Sequence, residues 1–333
     1  MSALKNMPTP SEPLQTERNP KREWAARSEG AKRSVFGNYR ADNACSSGRE
    51  SAPSSQSRLT SAATNEQATL QSSIDLALAR AFIHRFLAKA YEDPTPQGWQ
   101  WLCDARTQEN LRAAIQVVAA SRQSAGNQPN ALESSLHSLS AALRRDAATE
   151  DLFHSAYLAA FGHAARGQCP LNEIEYGDLK ADPLFQPHRL ADLAAFYSAF
   201  GLELACDADE RQDHICLELE FICVLAAKEA YALENQLDAE ELALCRDAQK
   251  KFLREHLGRW TPAFARRLAS TTSDASLRAL ADFTRVFIES ECARFAVNPG
   301  GEDLLLRPVD QAAESMCASC GIPGLPPGAL PTT

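Results

Sequence analysis

What most constrains this chain is the period of its apolar residues. From about residue 72 to about residue 295 they recur at three- and four-residue spacing, in blocks separated by Pro, Gly, Asn and Asp. Leu76, Leu78, Phe82, Phe86, Leu87 and Tyr91 make the first stripe, which stops before Pro94. Leu111, Ile115, Val118 and Ala119 make another, and Leu132, Leu136, Leu139 and Leu143 the next. Leu152, Phe153, Tyr157, Leu158 and Phe161 follow. Such spacing returns side chains to one face of an α-helix. Val and Ile are sparse while Ala, Leu, Glu and Arg abound, which favours helix over sheet. No strand of useful length is legible. The expected fold is all-α: a single bundle of roughly eight to ten helices packed by ridges and grooves.

Punctuation divides the chain into three parts. Residues 1–71 are rich in Ser, Ala, Asn, Arg and Pro and hold few large apolar residues, so they form an expected disordered arm. Lys32-Arg33-Ser34-Val35-Phe36 lacks the apolar stretch that would make it an export signal. Residues 72–298 are the expected helical domain. Ser72-x-x-Asp75 reads as its first capping box, and Trp99, Trp101 and Leu102 mark a short second helix. Gly126, Asn127, Pro129 and Asn130 break the pattern, and Thr149 caps the next helix. Pro187 and Gly201 bracket another. Asp209 to about Glu234 reads as a long, mostly apolar central helix. Asp238-x-x-Glu241 opens a helix that Gly258 closes, and Asp274 to about Phe295 gives the last. Residues 299–333 form an irregular Pro/Gly-rich tail containing Cys317-Ala318-Ser319-Cys320.

Charge and composition exclude several classes. Of 333 residues, 44% are apolar, enough for a sizeable core. Net charge is −9; residues 1–72 hold ten Lys/Arg and seven Asp/Glu, or +3, which leaves −12 on the remainder. An acidic body argues against nucleic acid and suits a basic partner such as an arginine-bearing peptide. No apolar run is long enough to span a bilayer, and the polar N-terminus has no secretory h-region, so a cytoplasmic protein is expected. Of ten cysteines, Cys103, Cys206, Cys216, Cys223, Cys245 and Cys292 sit singly in helical patterns and read as buried or half-buried thiols.

The candidate site lies between Gly162 and Glu229. The loop from Gly162 to about Gln186 carries acids and aromatics, and ordered loops of that length are usually functional. In an extended backbone, Glu173 and Glu175 face one side and form a receptor for Arg or Lys, with Tyr176 beside them. In the helix that follows, His214, Glu218 and Phe221 stand at i, i+4 and i+7, next to Asp213. Polar groups on an otherwise apolar helix need partners. Either Asp213 caps the helix while His214 pairs with Glu218, or these groups line a groove for a cationic ligand, with Tyr176, Phe185, Phe196 and Phe221 as apolar surface. No enzyme is expected: there is no Gly-rich phosphate loop, no G-x-S-x-G and no His-Glu-x-x-His, and Asp151-x-x-His154 stands alone. His163 with Cys169 is the one conceivable reactive pair. No cofactor is expected, apart from a metal or iron–sulfur site built from Cys317 and Cys320 with Cys169 or His163; the pair reads equally as a redox couple or as two idle thiols.

A family resemblance rests on Cys169-Pro170-Leu171-Asn172-Glu173-Ile174-Glu175-Tyr176-Gly177 and on Asp213-His214-Ile215-Cys216-Leu217-Glu218-Leu219-Glu220-Phe221. With Leu190 to Leu202, Lys228-Glu229-Ala230 and His256-Leu257-Gly258-Arg259-Trp260, the chain resembles the TorD/DmsD/NarJ family. It is most similar to the subgroup serving dimethyl sulfide, ethylbenzene, selenate and chlorate enzymes. The resemblance covers about residues 70 to 300. It implies a cytoplasmic, all-helical, system-specific chaperone without turnover, acting as a monomer or homodimer. Its partner would be a molybdopterin-containing oxidoreductase subunit, bound through its twin-arginine signal peptide or as the apo form until molybdopterin guanine dinucleotide is inserted before export. Asp213 and His214 match the family's Asp-His pair, implicated in peptide recognition; Glu173, Glu175 and Tyr176 match its acidic–aromatic loop, and Glu218 and Phe221 its Glu-Leu-Glu-Phe run. The alternative is a metal- or iron–sulfur-binding, redox-responsive protein using Cys169, Cys317 and Cys320.

Overall fold

A computed structural model describes the backbone of residues 55–123, 130–144, 149–162, 167–177, 185–204 and 210–307. It describes the side chains of the same residues except 55–65, 122, 123, 130, 185 and 186. Among the described residues there are ten α-helices. They are α1 (Ser55–Tyr91), α2 (Pro96–Cys103), α3 (Ala105–Gln123), α4 (Asn130–Leu143) and α5 (Glu150–Phe161). After a short 3₁₀ turn (Glu173–Glu175) come α6 (Phe185–Ala199), α7 (Ile215–Glu234), α8 (Ala239–Glu255), α9 (Leu257–Thr271) and α10 (Ala275–Arg294). The described residues contain no β-strand, only two isolated bridges, and the fold is all-α.

The central helix is α7, as its apolar sequence implies. Ile215, Leu219, Ile222, Leu225 and Ala226 are wholly buried. Helix α7 packs chiefly along α1 and then against α8, while α10 packs on α9 and α4. Each large side chain removed from water contributes about 1.5–3 kcal/mol, which outweighs the weak intrinsic stability of isolated helices.

Local chemistry sets the helix ends, not always where the sequence suggests. Helix α1 begins at Ser55, so Ser72 lies inside it and caps nothing; Asp75 instead accepts a bond from Gln71 at 2.8 Å. Asp238 does cap α8, accepting from the Glu241 amide at 2.9 Å. Gly201 ends α6 with a φ of 72°, a conformation that costs glycine little.

Gly258 does not close α8. That helix stops at Glu255, the buried His256 forms a corner, and Gly258 falls in the first turn of α9, a helix the apolar pattern did not announce. A Cβ at 258 would lie 2.4 Å from the Leu253 carbonyl oxygen and 2.7 Å from Cys292 Sγ, so glycine lets α9 start hard against α10. Pro262, inside α9, has no N–H to give the Gly258 carbonyl. The Gly300 amide fills that role at 2.9 Å. A Cβ at 300 would stand 1.8 Å from the Arg259 carbonyl oxygen. A missing donor in α9 thus fastens the segment that follows α10.

A buried ionic cluster joins four helices. The Arg80 guanidinium (α1) donates to both Glu291 carboxylate oxygens (α10) at 2.7–2.9 Å, to Glu229 (α7) at 3.1 Å and to the Gln249 side-chain oxygen (α8) at 2.6 Å. His84 Nε2 meets Glu291 at 3.2 Å. Burial alone would raise the Glu291 carboxyl, but Arg80 and His84 outweigh it and hold it below the carboxylate range.

Candidate functional site

The loop of residues 169–177 is stitched along both edges. On one side the Glu173 amide donates to the Asp213 carbonyl and the Ile215 amide to the Leu171 carbonyl, both at 2.9 Å, around an antiparallel bridge between Asn172 and His214. On the other, the Arg307 amide donates to the Glu175 carbonyl at 2.9 Å and the Gly177 amide to the Leu305 carbonyl at 3.1 Å, around a bridge between Tyr176 and Leu306. The loop therefore lies between the start of α7 and a short extended strap, residues 304–307. Tyr176 anchors it from below. Its hydroxyl donates to the Pro170 carbonyl at 2.8 Å and its ring lies 5.1 Å from that of Trp260 in α9.

The predicted site residues gather here, with different duties from those the sequence suggested. Asp213 is wholly buried. One of its carboxylate oxygens accepts from Asn172 (3.2 Å) and Arg211 Nε (2.9 Å), the other from the Ile174 amide (3.2 Å) and Arg211 Nη2 (3.0 Å). That is a two-pronged guanidinium–carboxylate pair, the geometry Arg favours. Asp213 is not the helix cap; His214 is. An N-cap residue has extended backbone angles, which fold the ring over the first turn. His214 Nδ1 accordingly accepts the Cys216 amide at 3.3 Å. The ring therefore does not run down the helix to Glu218, as the i, i+4 spacing allowed. Burial, only partly offset by Asp213, lowers the His214 pKa to about 4. The neutral ring then carries its proton on Nε2, 3.5 Å from Glu210.

Glu173 and Glu175 do not face one side. They sit on a 3₁₀ turn, where residues two apart diverge by about 120°. Glu173 turns inward. Its carboxylate meets His256 Nδ1 at 2.9 Å, accepts from Arg259 at 3.0 and 3.2 Å, and has Arg189 at 3.5 Å. Burial would raise its pKa, but His256, Arg259 and Arg189 together hold it below the usual range. Glu175 turns the other way, to Arg211 at 3.4 Å and Arg307 at 3.7 Å. Both cations stand outside it: their side chains are 38% and 17% exposed, against 4% for Glu175.

Glu218 is wholly buried. It accepts from Trp260 Nε1 at 3.1 Å, and its other oxygen has no hydrogen-bond partner. Burial first, then the nearby Glu173 charge, push its pKa well above the carboxylate range, which favours the protonated side chain. Phe221 packs inside, 4.8 Å from the Phe252 ring and 5.0 Å from Tyr197, and Phe196 joins the same cluster. These rings are core, not open surface. Cys169 is buried beside the Tyr176 hydroxyl (3.9 Å) and the Phe264 carbonyl, and burial pushes its thiol up to about 12. Cys317, Cys320, His163 and the Phe185 side chain lie outside the described residues. Among the described residues no group of three or more His, Cys, Asp or Glu is arranged to hold a metal.

Sequence reasoning missed the cations: Arg189, Arg211, Arg259 and Arg307, together with His256 and Trp260. A signal was available in part. His256, Arg259 and Trp260 stand at i, i+3 and i+4 beside Gly258, polar groups on one face of an otherwise apolar turn.

The described residues form an all-helical body with an acid-rich loop docked on its central helix. Residues 126–266 match the family described as nitrate reductase delta subunit, a span that contains the whole loop and α7. Over this span the chain is similar to that family, in keeping with the resemblance carried by the loop and Asp-His motifs. It is 36% identical over 127 residues to the selenate reductase assembly chaperone of Thauera selenatis, covering 38% of this chain and 63% of that one. It is 25% identical over 227 residues to the perchlorate reductase assembly chaperone of Dechloromonas aromatica (strain RCB), covering 68% and 93%. The chaperone TorD of Vibrio cholerae is 30% identical over 120 residues, 35% of this chain and 52% of that one. The match thus spans less than two thirds of the selenate and TorD relatives. Among the described residues no helix is long and apolar enough to cross a membrane.

Proposed function

We propose that this chain is an assembly chaperone for a molybdopterin-containing oxidoreductase. It binds the subunit's twin-arginine leader, or its unfinished form, in the cytoplasm until the cofactor is inserted, and it turns nothing over. Relatives named as selenate and perchlorate reductase assembly chaperones support the reading. The observation that carries it is chemical: Glu175 and Asp213 already hold guanidinium groups, those of Arg211 and Arg307. A carboxylate built to pair with Arg recognises an Arg from another chain by the same geometry.

The parts divide by exposure. Glu175, behind half-exposed cations, is the group that meets the client. Asp213, Glu173 and Glu218 hold the loop in shape from beneath, and His214 caps the helix on which it rests. Titration calorimetry of the full chain with the leader peptide of its client tests this. Saturable binding is expected, weakened about tenfold by Glu175→Gln and weakened further by salt. Absence of saturable heat with that leader would overturn the proposal.

A further inference from the structure

We propose that the strap, residues 304–307, is an internal stand-in for the client peptide: it occupies an exchangeable strand-binding edge of the loop and gives way to an arginine-bearing segment. The inference rests on the chaperone reading above and names how its site is kept closed. Three observations on one short segment carry it.

The strap pairs with the loop as an added strand would. The Glu175 carbonyl and the Gly177 amide are taken by the Arg307 amide and the Leu305 carbonyl, the antiparallel pattern in which a peptide joins an exposed edge. Its side chains supply what a twin-arginine leader supplies, apolar residues next to arginine. Leu304 and Leu306 pack against the core, Leu305 points outward at 57% exposure, and Arg307 reaches the Glu175 carboxylate. The alternation is that of an extended strand. The polar contacts across this edge include one bridge, two backbone bonds and an ion pair of 3.7 Å, contacts that an incoming strand can replace one for one. Upstream, the bond from the Gly300 amide to the Gly258 carbonyl fastens the segment to α9, so the strap can lift without the chain leaving its place.

The occupied edge has two consequences. It covers a carboxylate and backbone groups that would otherwise stand open to any passing strand. It also makes a client compete with Arg307, which lowers apparent affinity by the fraction of time the edge is free.

The test uses the full chain and a synthetic peptide with two adjacent arginines followed by an apolar stretch. Affinity is measured for the unaltered protein, for Arg307→Ala, and for Lys250→Ala, which removes the same charge from the exposed face of α8. Arg307→Ala is expected to bind about three- to tenfold tighter while Lys250→Ala is unchanged. Hydrogen exchange at the Arg307 amide of the unaltered protein should quicken when the peptide is added. Equal or weaker binding by Arg307→Ala, or an Arg307 amide as protected with peptide as without it, overturns the strap as a stand-in and leaves the chaperone reading in place. Failure of every form to bind removes that reading, and the strap's role with it.

Discussion

Glu218 is the residue whose surroundings conflict most with its charge. It sits on the central helix with one oxygen on Trp260 and the other unpartnered, and the neighbouring Glu173 charge disfavours a second anion. Its carboxyl is raised far above the ordinary 4.5 when folded, so the folded chain holds a proton that the unfolded chain releases. Its contribution to stability is therefore intact below about pH 4.5 and is lost as pH climbs toward the folded value. Glu218→Gln keeps the acceptor for Trp260 and cannot ionise. Its melting temperature relative to the unaltered protein should rise as pH climbs above about 4.5; a difference independent of pH would contradict a raised Glu218 carboxyl. The sequence marked Asp213, His214 and Glu218 as special because polar groups interrupted an apolar stripe. It did not say which was cap and which was anchor. That depended on Arg211, Trp260 and the loop, partners two to forty-odd positions away that periodicity does not register.

At the scale of elements, local chemistry explains what was legible. Thr149, Asp238 and Asp274 cap the helices they precede, because their side chains accept amides of the first turn. Helix α9 was not legible, since Gly258 reads as the close of the helix before it, and Pro262 and polar groups interrupt its apolar face. Both breakers have a use: the proline leaves a carbonyl for Gly300 to fill, and the glycine admits α10. Gly300→Ala would press a methyl into the Arg259 carbonyl at 1.8 Å. The variant should lose about 2–3 kcal/mol in urea unfolding and release the strap. A loss under about 0.5 kcal/mol, typical of a surface site, would show that the α9 junction does not fix this segment. The 3₁₀ turn at Glu173–Glu175 was likewise unreadable: three residues carry no period, and its shape follows from Asp213 gripping the Ile174 amide.

On the scale of the whole molecule, two buried polar clusters punctuate the helical body, one under the loop and one around Arg80. The second ties α1, α7, α8 and α10 and was invisible in the sequence, because Arg80, Glu229 and Glu291 each look like ordinary helix-surface charges. Removing one member strands the others: Arg80→Ala should destabilise the chain by about 3–5 kcal/mol in denaturant unfolding. A loss below about 1 kcal/mol would mean that the cluster is solvated in solution. The all-α class was legible because helical period and composition agreed over most of the blocks that pack, α9 excepted. The proposed chaperone role depends most on one proposed contact, between Glu175 and an arginine of the client leader. A double-mutant cycle measures it directly, with Glu175→Gln in this chain and Arg→Gln at each leader arginine. One of the two arginines is expected to couple to Glu175 by about 1.5 kcal/mol or more. Additive effects at both arginines, with binding retained, would contradict it.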